Sequence, residues 1–238
     1  MRILVLGDTH GRLIWNDVIK NESPDLVVFL GDYVSTHELI SPDQQLSNLE
    51  DILNYKEENP EKVILLRGNH DIQHLGYYWA ECSGFDFQIW KHMAHPEFKA
   101  RFLRLTQWIY IHRFIFKNIL FSHAGVSQVW MDGNDIKSVE DINKLEPSEI
   151  FGFTPDSMFD YYGNSITQPP TWIRPTSLYR CNVKGYTQIV GHTPAKEIAD
   201  IYKCTKNNEH IWLCDTLANG KYLLIEDGVF IPKSIEII

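Results

Sequence analysis

Three features of this 238-residue chain predict an α/β fold. Several short runs are apolar at every position, these runs end in polar residues that mostly follow a glycine, and a capped amphipathic helix separates two of them. Strands covered on both faces have this continuous apolar character. Arg2 to Leu6 runs into Gly7-Asp8, and Leu26 to Leu30 runs into Gly31-Asp32, with room between them for a crossover helix. Ser41-Pro42-Asp43-Gln44 reads as a helix start: Ser41 caps, Pro42 takes the first helical position, and Gln44 completes a capping box. Leu46, Leu49, Ile52 and Leu53 then share one face until Asn59-Pro60 stops the helix. Val63 to Leu66 leads into Arg67-Gly68-Asn69-His70, Asn118 to Phe121 into Ser122-His123, and Gln188 to Val190 into Gly191-His192. Polar residues at the carboxyl ends of such strands place a site along one edge of the sheet.

The polar residues themselves point to metals. Gly7-Asp8-Thr9-His10-Gly11, Gly31-Asp32, Gly68-Asn69-His70-Asp71, Ser122-His123-Ala124-Gly125 and Gly191-His192-Thr193 each deliver carboxylate, amide or imidazole donors. A lone Gly-Asp at a strand end is usually just a turn; the ordered set describes a site for two divalent ions, an arrangement used mostly for phosphate-ester hydrolysis. Paired ions need a bridging ligand, and Asp32 is the natural one. Asp8 and His10, two apart on an extended segment, could clamp the first ion. Asn69, His123 and His192 offer oxygen and nitrogen to the second. Mixed oxygen and nitrogen donors favour Mn, Fe or Zn over Ca or Mg. Water on such ions has its pKa lowered towards roughly 7, which supplies hydroxide, and His70 would protonate the leaving alkoxide.

These motifs resemble the calcineurin-like metallophosphoesterases, and within them the bacterial and phage phosphoprotein-phosphatase branch. Gly-Asp-x-His-Gly corresponds to residues 7–11 and Gly-Asp-Tyr-Val to 31–34, and Arg67-Gly68-Asn69-His70-Asp71 resembles the Arg-Gly-Asn-His-Glu element. His123, Gly191-His192-Thr193-Pro194 and Trp172-Ile173-Arg174-Pro175 correspond to later motifs, so the resemblance runs along almost the whole chain. It implies two mixed β-sheets packed as a sandwich flanked by helices. It also implies Asp8, His10 and Asp32 on one ion, with Asp32, Asn69, His123 and His192 on the other. Mn is the ion expected, with Fe or Zn as alternatives.

Ser35-Thr36-His37 stands where that branch carries Asp-Arg-Gly. The absent Asp normally orients the acid histidine and the absent Arg grips phosphate. Asp71 is the candidate for the first role. Arg67 and Arg174 are the candidates for the second, because a guanidinium can hold phosphate oxygens in bidentate fashion. The expected activity is Ser/Thr protein phosphatase-like hydrolysis of phosphate monoesters by a dimetal-bound hydroxide. A phosphodiesterase, a dinucleoside polyphosphate hydrolase and a non-catalytic module on the same fold are the alternatives. A phosphorylated small molecule, a nucleotide or a phosphoprotein is the expected substrate.

Composition sets the remaining bounds. A hydrophobic content of 44% allows residues 1–238 to form one domain with a large core. A net charge of −9 argues against binding a nucleic-acid backbone. Cys82, Cys181, Cys204 and Cys214 show no metal or disulfide spacing, and no membrane span or signal core precedes Asp8; a cytoplasmic protein is expected. The aromatic stretch 72–112 reads as a helical layer in which Pro96 opens a helix carrying Phe98, Phe102 and Leu105. Residues 126–180, acidic from Asp132 to Asp160 and turn-rich from Gly163, read as a cap. The runs Ile211–Cys214, Tyr222–Ile225 and Val229–Ile231 read as a meander completing the second sheet, with Asp227-Gly228 as a hairpin turn.

Overall fold

A computed structural model describes residues 1–115, 117–154, 164–204 and 209–236. The predicted α/β class is the observed one. The first half alternates strand and helix: β1 (Arg2–Leu6), α1 (Trp15–Glu22), β2 (Leu26–Phe29), α2 (Pro42–Glu58) and β3 (Val63–Leu66). There follow α3 (Asn69–His74), α4 (Phe87–Met93), α5 (Pro96–Leu105), β4 (Thr106–Gln107), β5 (Ile109–Phe114) and β6 (Lys117–Ser122). The remainder contains α6 (Gln128–Gly133), two short 3-10 turns (Val139–Lys144, Glu149–Phe151), α7 (Pro175–Cys181), β7 (Tyr186–Val190), β8 (Ala199–Cys204) and β9 (Glu209–Leu213). A last 3-10 turn (Leu217–Asn219) precedes β10 (Lys221–Glu226) and β11 (Val229–Ser234).

Two mixed sheets result. The first has the order β11-β10-β1-β2-β3-β4 and the second β5-β6-β7-β9-β8. β1 to β4 run parallel, as do β6, β7 and β9; the outer strands are antiparallel. Alternate residues of β1 and β2 face opposite layers, as the period of two demands. Ile3, Val5, Val28 and Leu30 meet Ile119, Phe121 and Ile189 between the sheets. Leu4, Leu6, Val27 and Phe29 pack under Trp15, Leu49, Ile52, Ile89 and Phe102 of the helical layer. On the outer face of the second sheet, Leu178 of α7 packs with Val190, Ile211 and Leu213. Both faces of the central strands are therefore buried, which is why their sequences lack alternation.

The capping signals have their predicted effect. Ser41 accepts from Gln44 N while Gln44 answers Ser41 N, Pro42 opens α2 and Asn59 closes it. Pro96 likewise opens α5 and buries Phe98 and Phe102. The C-terminal meander is corrected. Only β9 joins the second sheet; β10 and β11 form the predicted Asp227-Gly228 hairpin, but β10 pairs antiparallel with β1 in the first sheet. Positive φ at Asp227 (48°) and Gly228 (85°) suits the tight turn. In the segment 126–180, Trp130, Ile142 and Phe151 are buried, and Phe151 stacks on Trp108 at 3.7 Å. Asp160 and Gly163 lie outside the described residues, as does the Cys204 side chain.

Candidate metal centre

The parallel strands β1, β2, β3, β6, β7 and β9 all end on one edge of the sandwich, and each delivers a polar side chain there. Asp8 and His10 follow β1, Asp32 follows β2, and Asn69 and His70 open α3 after β3. His123 follows β6 and His192 follows β7. Tight turns aim these groups. His10 (47°), Asp32 (53°) and His192 (62°) have positive φ, which is unfavourable for residues with a Cβ and concentrates at functional sites. Glycine is required beside them: a Cβ at Gly68 would collide with the Asp32 carboxylate, and one at Gly191 with that of Asp8.

Hydrogen bonds at the rear fix the donors. His10 Nδ1 donates to Val34 O and His123 Nδ1 to Leu30 O, each at 2.8 Å. This leaves each Nε2 lone pair facing the cluster, the usual device for orienting a metal-ligating imidazole. The Asp8 carboxylate accepts from His192 N at 3.1 Å and so ties the end of β1 to the end of β7.

In front, oxygen and nitrogen atoms converge. Asn69 Oδ1 stands 2.9 Å from His123 Nε2 and 3.0 Å from His192 Nδ1. Asp32 Oδ2 is 3.4 Å from His123 Nε2, and Asp8 Oδ2 is 4.0 Å from His10 Nε2. Donor atoms of Asp8, His10 and Asp32, and of Asp32, His123 and His192, lie within 4.8 Å of one another in two groups that share Asp32. His192 Nε2 is buried without a partner. Imidazole nitrogens and an amide oxygen that converge beside a carboxylate are a donor set suited to a cation. The residues present therefore fit two divalent ions with a common carboxylate.

Without a cation, a proton on His123 supplies the positive charge instead. Burial alone would lower the His123 pKa, but the Asp32 charge raises it to about 10. Burial opposes ionisation of Asp32, yet His123 and His70 beside it hold its carboxyl below the usual range. Burial and Asp215 push Asp8 well up. Burial lowers His70 to about 4 and pushes the Cys82 thiol up to about 12.

A cavity of about 380 Å³ opens over the cluster, and Asp8, His10, Asp32, Asn69, His70 and His192 line it. Trp172 and Arg174 reach it from the segment 126–180; Trp172 stands edge-on to His192 at 5.5 Å. Arg174 Nη1 donates to His192 O at 2.9 Å and Thr193 Oγ1 at 3.1 Å. Two expectations need correction. Arg67 lies outside the cavity: its guanidinium donates to Leu103 O, Thr106 O and Thr106 Oγ1 and rests on Trp108, because the residue at the end of β3 points into the helical layer. Asp71 does not reach the His70 ring. Its carboxylate accepts from Asp32 N, Tyr33 N and Gly68 N, and so braces the turn that carries Asp32.

Further cavity residues were not singled out by sequence reasoning. Asp215, after β9, repeats the pattern of an apolar strand ending in an acid, but Cys214 stands where the other Gly-Asp turns have glycine. Arg12 lines the cavity, donates to Asp8 O and pairs with Glu38 at 2.7 Å. No described helix is long and apolar enough to cross a membrane.

Comparison with known proteins accords with this geometry. Residues 1–196 match the family model described as calcineurin-like phosphoesterase. A serine/threonine-protein phosphatase of Caenorhabditis elegans is 30% identical over 154 residues, 60% of this chain but 30% of that relative. The chain thus spans under a third of that relative's length. A cold-active protein-tyrosine phosphatase of a psychrophilic Shewanella superposes with a TM-score of 0.64 at 17% identity, over 98% of this chain and 77% of that one. A protein serine/threonine phosphatase from Saccharomyces cerevisiae superposes at 0.59 and 15% identity, over 100% and 80% respectively. The chain belongs to the calcineurin-like phosphoesterase family, hydrolases that act on phosphoric ester bonds.

Proposed function

We propose that the chain is a two-metal phosphatase that prefers phosphate monoesters, with a phosphorylated small molecule, nucleotide or phosphoprotein as substrate. The observation that carries this reading is the meeting of Asn69 Oδ1, His123 Nε2 and His192 Nδ1 within 3.0 Å contacts beside Asp32. Asp8, His10 and Asp32 would hold one ion, and Asp32, Asn69, His123 and His192 the other. Mn suits these donors, and Fe and Zn share the preference. When bound, the two ions would supply an activated water and counter-charge for the phosphoryl oxygens.

The chain's own groups supply the rest. His70 lines the same cavity and holds a proton at Nε2 for the leaving alkoxide. Arg174, anchored on His192 O and Thr193, presents positive charge to the phosphoryl group. Trp172 adds an apolar ring to the cavity lining. The sequence relative's name, serine/threonine-protein phosphatase, supports the monoester preference.

The test is hydrolysis of p-nitrophenyl phosphate against its bis-ester by metal-stripped protein with and without added Mn. Metal-restored turnover that favours the monoester supports the reading. A clear preference for the diester would replace it with a phosphodiesterase.

A further inference from the structure

Since Asp71 is committed to the Asp32 turn, another group must settle the rear of the His70 ring. The loop between α3 and α4 brings Cys82 there. Its Sγ lies 3.7 Å from His70 Nδ1 and 3.5 Å from Asn69 Nδ2. We propose that Cys82 is a positioning residue that orients the His70 ring and the Asn69 amide together, taking the place of an orienting carboxylate. The proposal rests on His70 and Asn69 having the roles assigned under Proposed function.

The hydrogen-bond directions follow from donor and acceptor counts. Asn69 turns Oδ1 towards His123 and His192, so its Nδ2 hydrogens face the sulfur. The sulfur accepts one of them and, with its other lone pair, faces Nδ1–H of the His70 ring. A ring held through Nδ1–H directs Nε2 at the leaving group, and after giving up its Nε2 proton it is neutral imidazole still bonded to the sulfur. The same contact fixes the Asn69 amide with its oxygen towards the metal donors.

The cysteine is held in place by the helix it serves. Gln73 of α3 accepts from Cys82 N at 2.6 Å and donates to Ser83 O at 3.3 Å. Gly84, at φ 72°, turns the loop back along the ring edge; a Cβ there would lie 3.5 Å from His70 Cε1. Among the described residues, no other side chain hydrogen-bonds His70 Nδ1. A thiol sulfur is a weak acceptor, so its effect is positional and smaller than removal of the acid itself.

The test compares wild type, Cys82→Ala and Cys82→Ser in two measurements. The first is imidazole 15N NMR of Zn-loaded, histidine-labelled protein. The second is kcat and KM of Mn-loaded protein on phenyl phosphate, a poor leaving group, and p-nitrophenyl phosphate, a good one. We expect neutral His70 as a single Nδ1-protonated tautomer in wild type and a mixture in Cys82→Ala. Cys82→Ala should lose about tenfold in kcat on phenyl phosphate and under about threefold on p-nitrophenyl phosphate, with KM steady. Cys82→Ser should recover part of both signals. Unchanged His70 resonances in Cys82→Ala, or equal losses on both esters, would overturn the proposal. Absence of wild-type turnover on either ester would instead sink the phosphatase reading, and the tautomer would still decide the role of Cys82.

Discussion

The α2–α5 surface and the strand-end cluster hold charge in opposite ways. On the helices, Arg101 lies 2.5 Å from Glu50 and 2.7 Å from Glu57, and Arg104 lies 2.8 Å from Glu57. Each of these carboxylates faces a guanidinium, and that surface is electrically complete. At the strand ends, Asp8, Asp32 and Asp215 are buried beside imidazoles and one another, with positive φ at Asp32, His10 and His192. Beyond the proton on His123, and Arg12 and Arg174 at the rim, the described side chains offer them little positive charge. The first region is stable by itself; the second is organised for a charge the polypeptide does not carry, and its stability should follow the cation.

The largest expected effect separates the two regions outright. Asp32→Asn should abolish metal-dependent turnover, because the shared carboxylate serves both donor groups, whereas Glu57→Gln should leave kcat unchanged. His70→Ala comes next, with kcat down by about 10²–10⁴ and KM nearly steady, as expected for a lost general acid. Full activity in His70→Ala would remove it from the chemistry.

Metal should then stabilise the fold. Mn at a hundred times its dissociation constant should raise unfolding stability by about 2.7 kcal/mol, measured by denaturant titration, and equally in wild type and Glu57→Gln. An unchanged midpoint would mean that the strand-end cluster needs no cation.

Acid and base should probe the regions in opposite directions. Bonds from Arg101 and Arg104 hold Glu57 down to about 2, from an ordinary 4.5. Its contribution is complete above about 4.5 and fades as pH falls towards 2; screened by solvent, it amounts to under about 1 kcal/mol. Burial and the Asp32 charge raise Asp71 to about 7, from 3.8. At Asp71 the folded state then binds more protons than the unfolded one, so this group's contribution to metal-free stability falls as pH rises from about 4 to about 7. Melting curves of metal-free wild type, Glu57→Gln and Asp71→Asn would separate these trends; the same pH dependence in Asp71→Asn as in wild type across that window would contradict the role given to Asp71.

What the sequence made legible follows the same division. Strand ends are local signals: an apolar run and then Gly-Asp or Gly-His states both where the chain turns and which donor it presents. The candidate donor set from Asp8 to His192, which the fold brings together, was readable for that reason. Side-chain direction was not. Arg67 adjoins Gly68, yet its guanidinium turns to Trp108 and Thr106, and Asp71 adjoins His70 yet braces Asp32. Pairing at long range was equally hidden. Nothing local in Tyr222–Ile225 says that it pairs with β1 rather than β9, and nothing in Glu81-Cys82-Ser83 says that it returns to α3. Asp215 shows the opposite failure, a usable signal passed over because no glycine marked it.

The most direct test of the central claim is metal content measured together with turnover, on wild type and Asp32→Asn, after stripping and reconstitution with Mn. Two equivalents of Mn per wild-type chain, with activity that rises as they load and with both lost in Asp32→Asn, is the predicted result. Phosphoester turnover that survives complete removal of metal, or a wild-type chain that takes up no Mn, would contradict the reading of the strand ends as a two-metal centre.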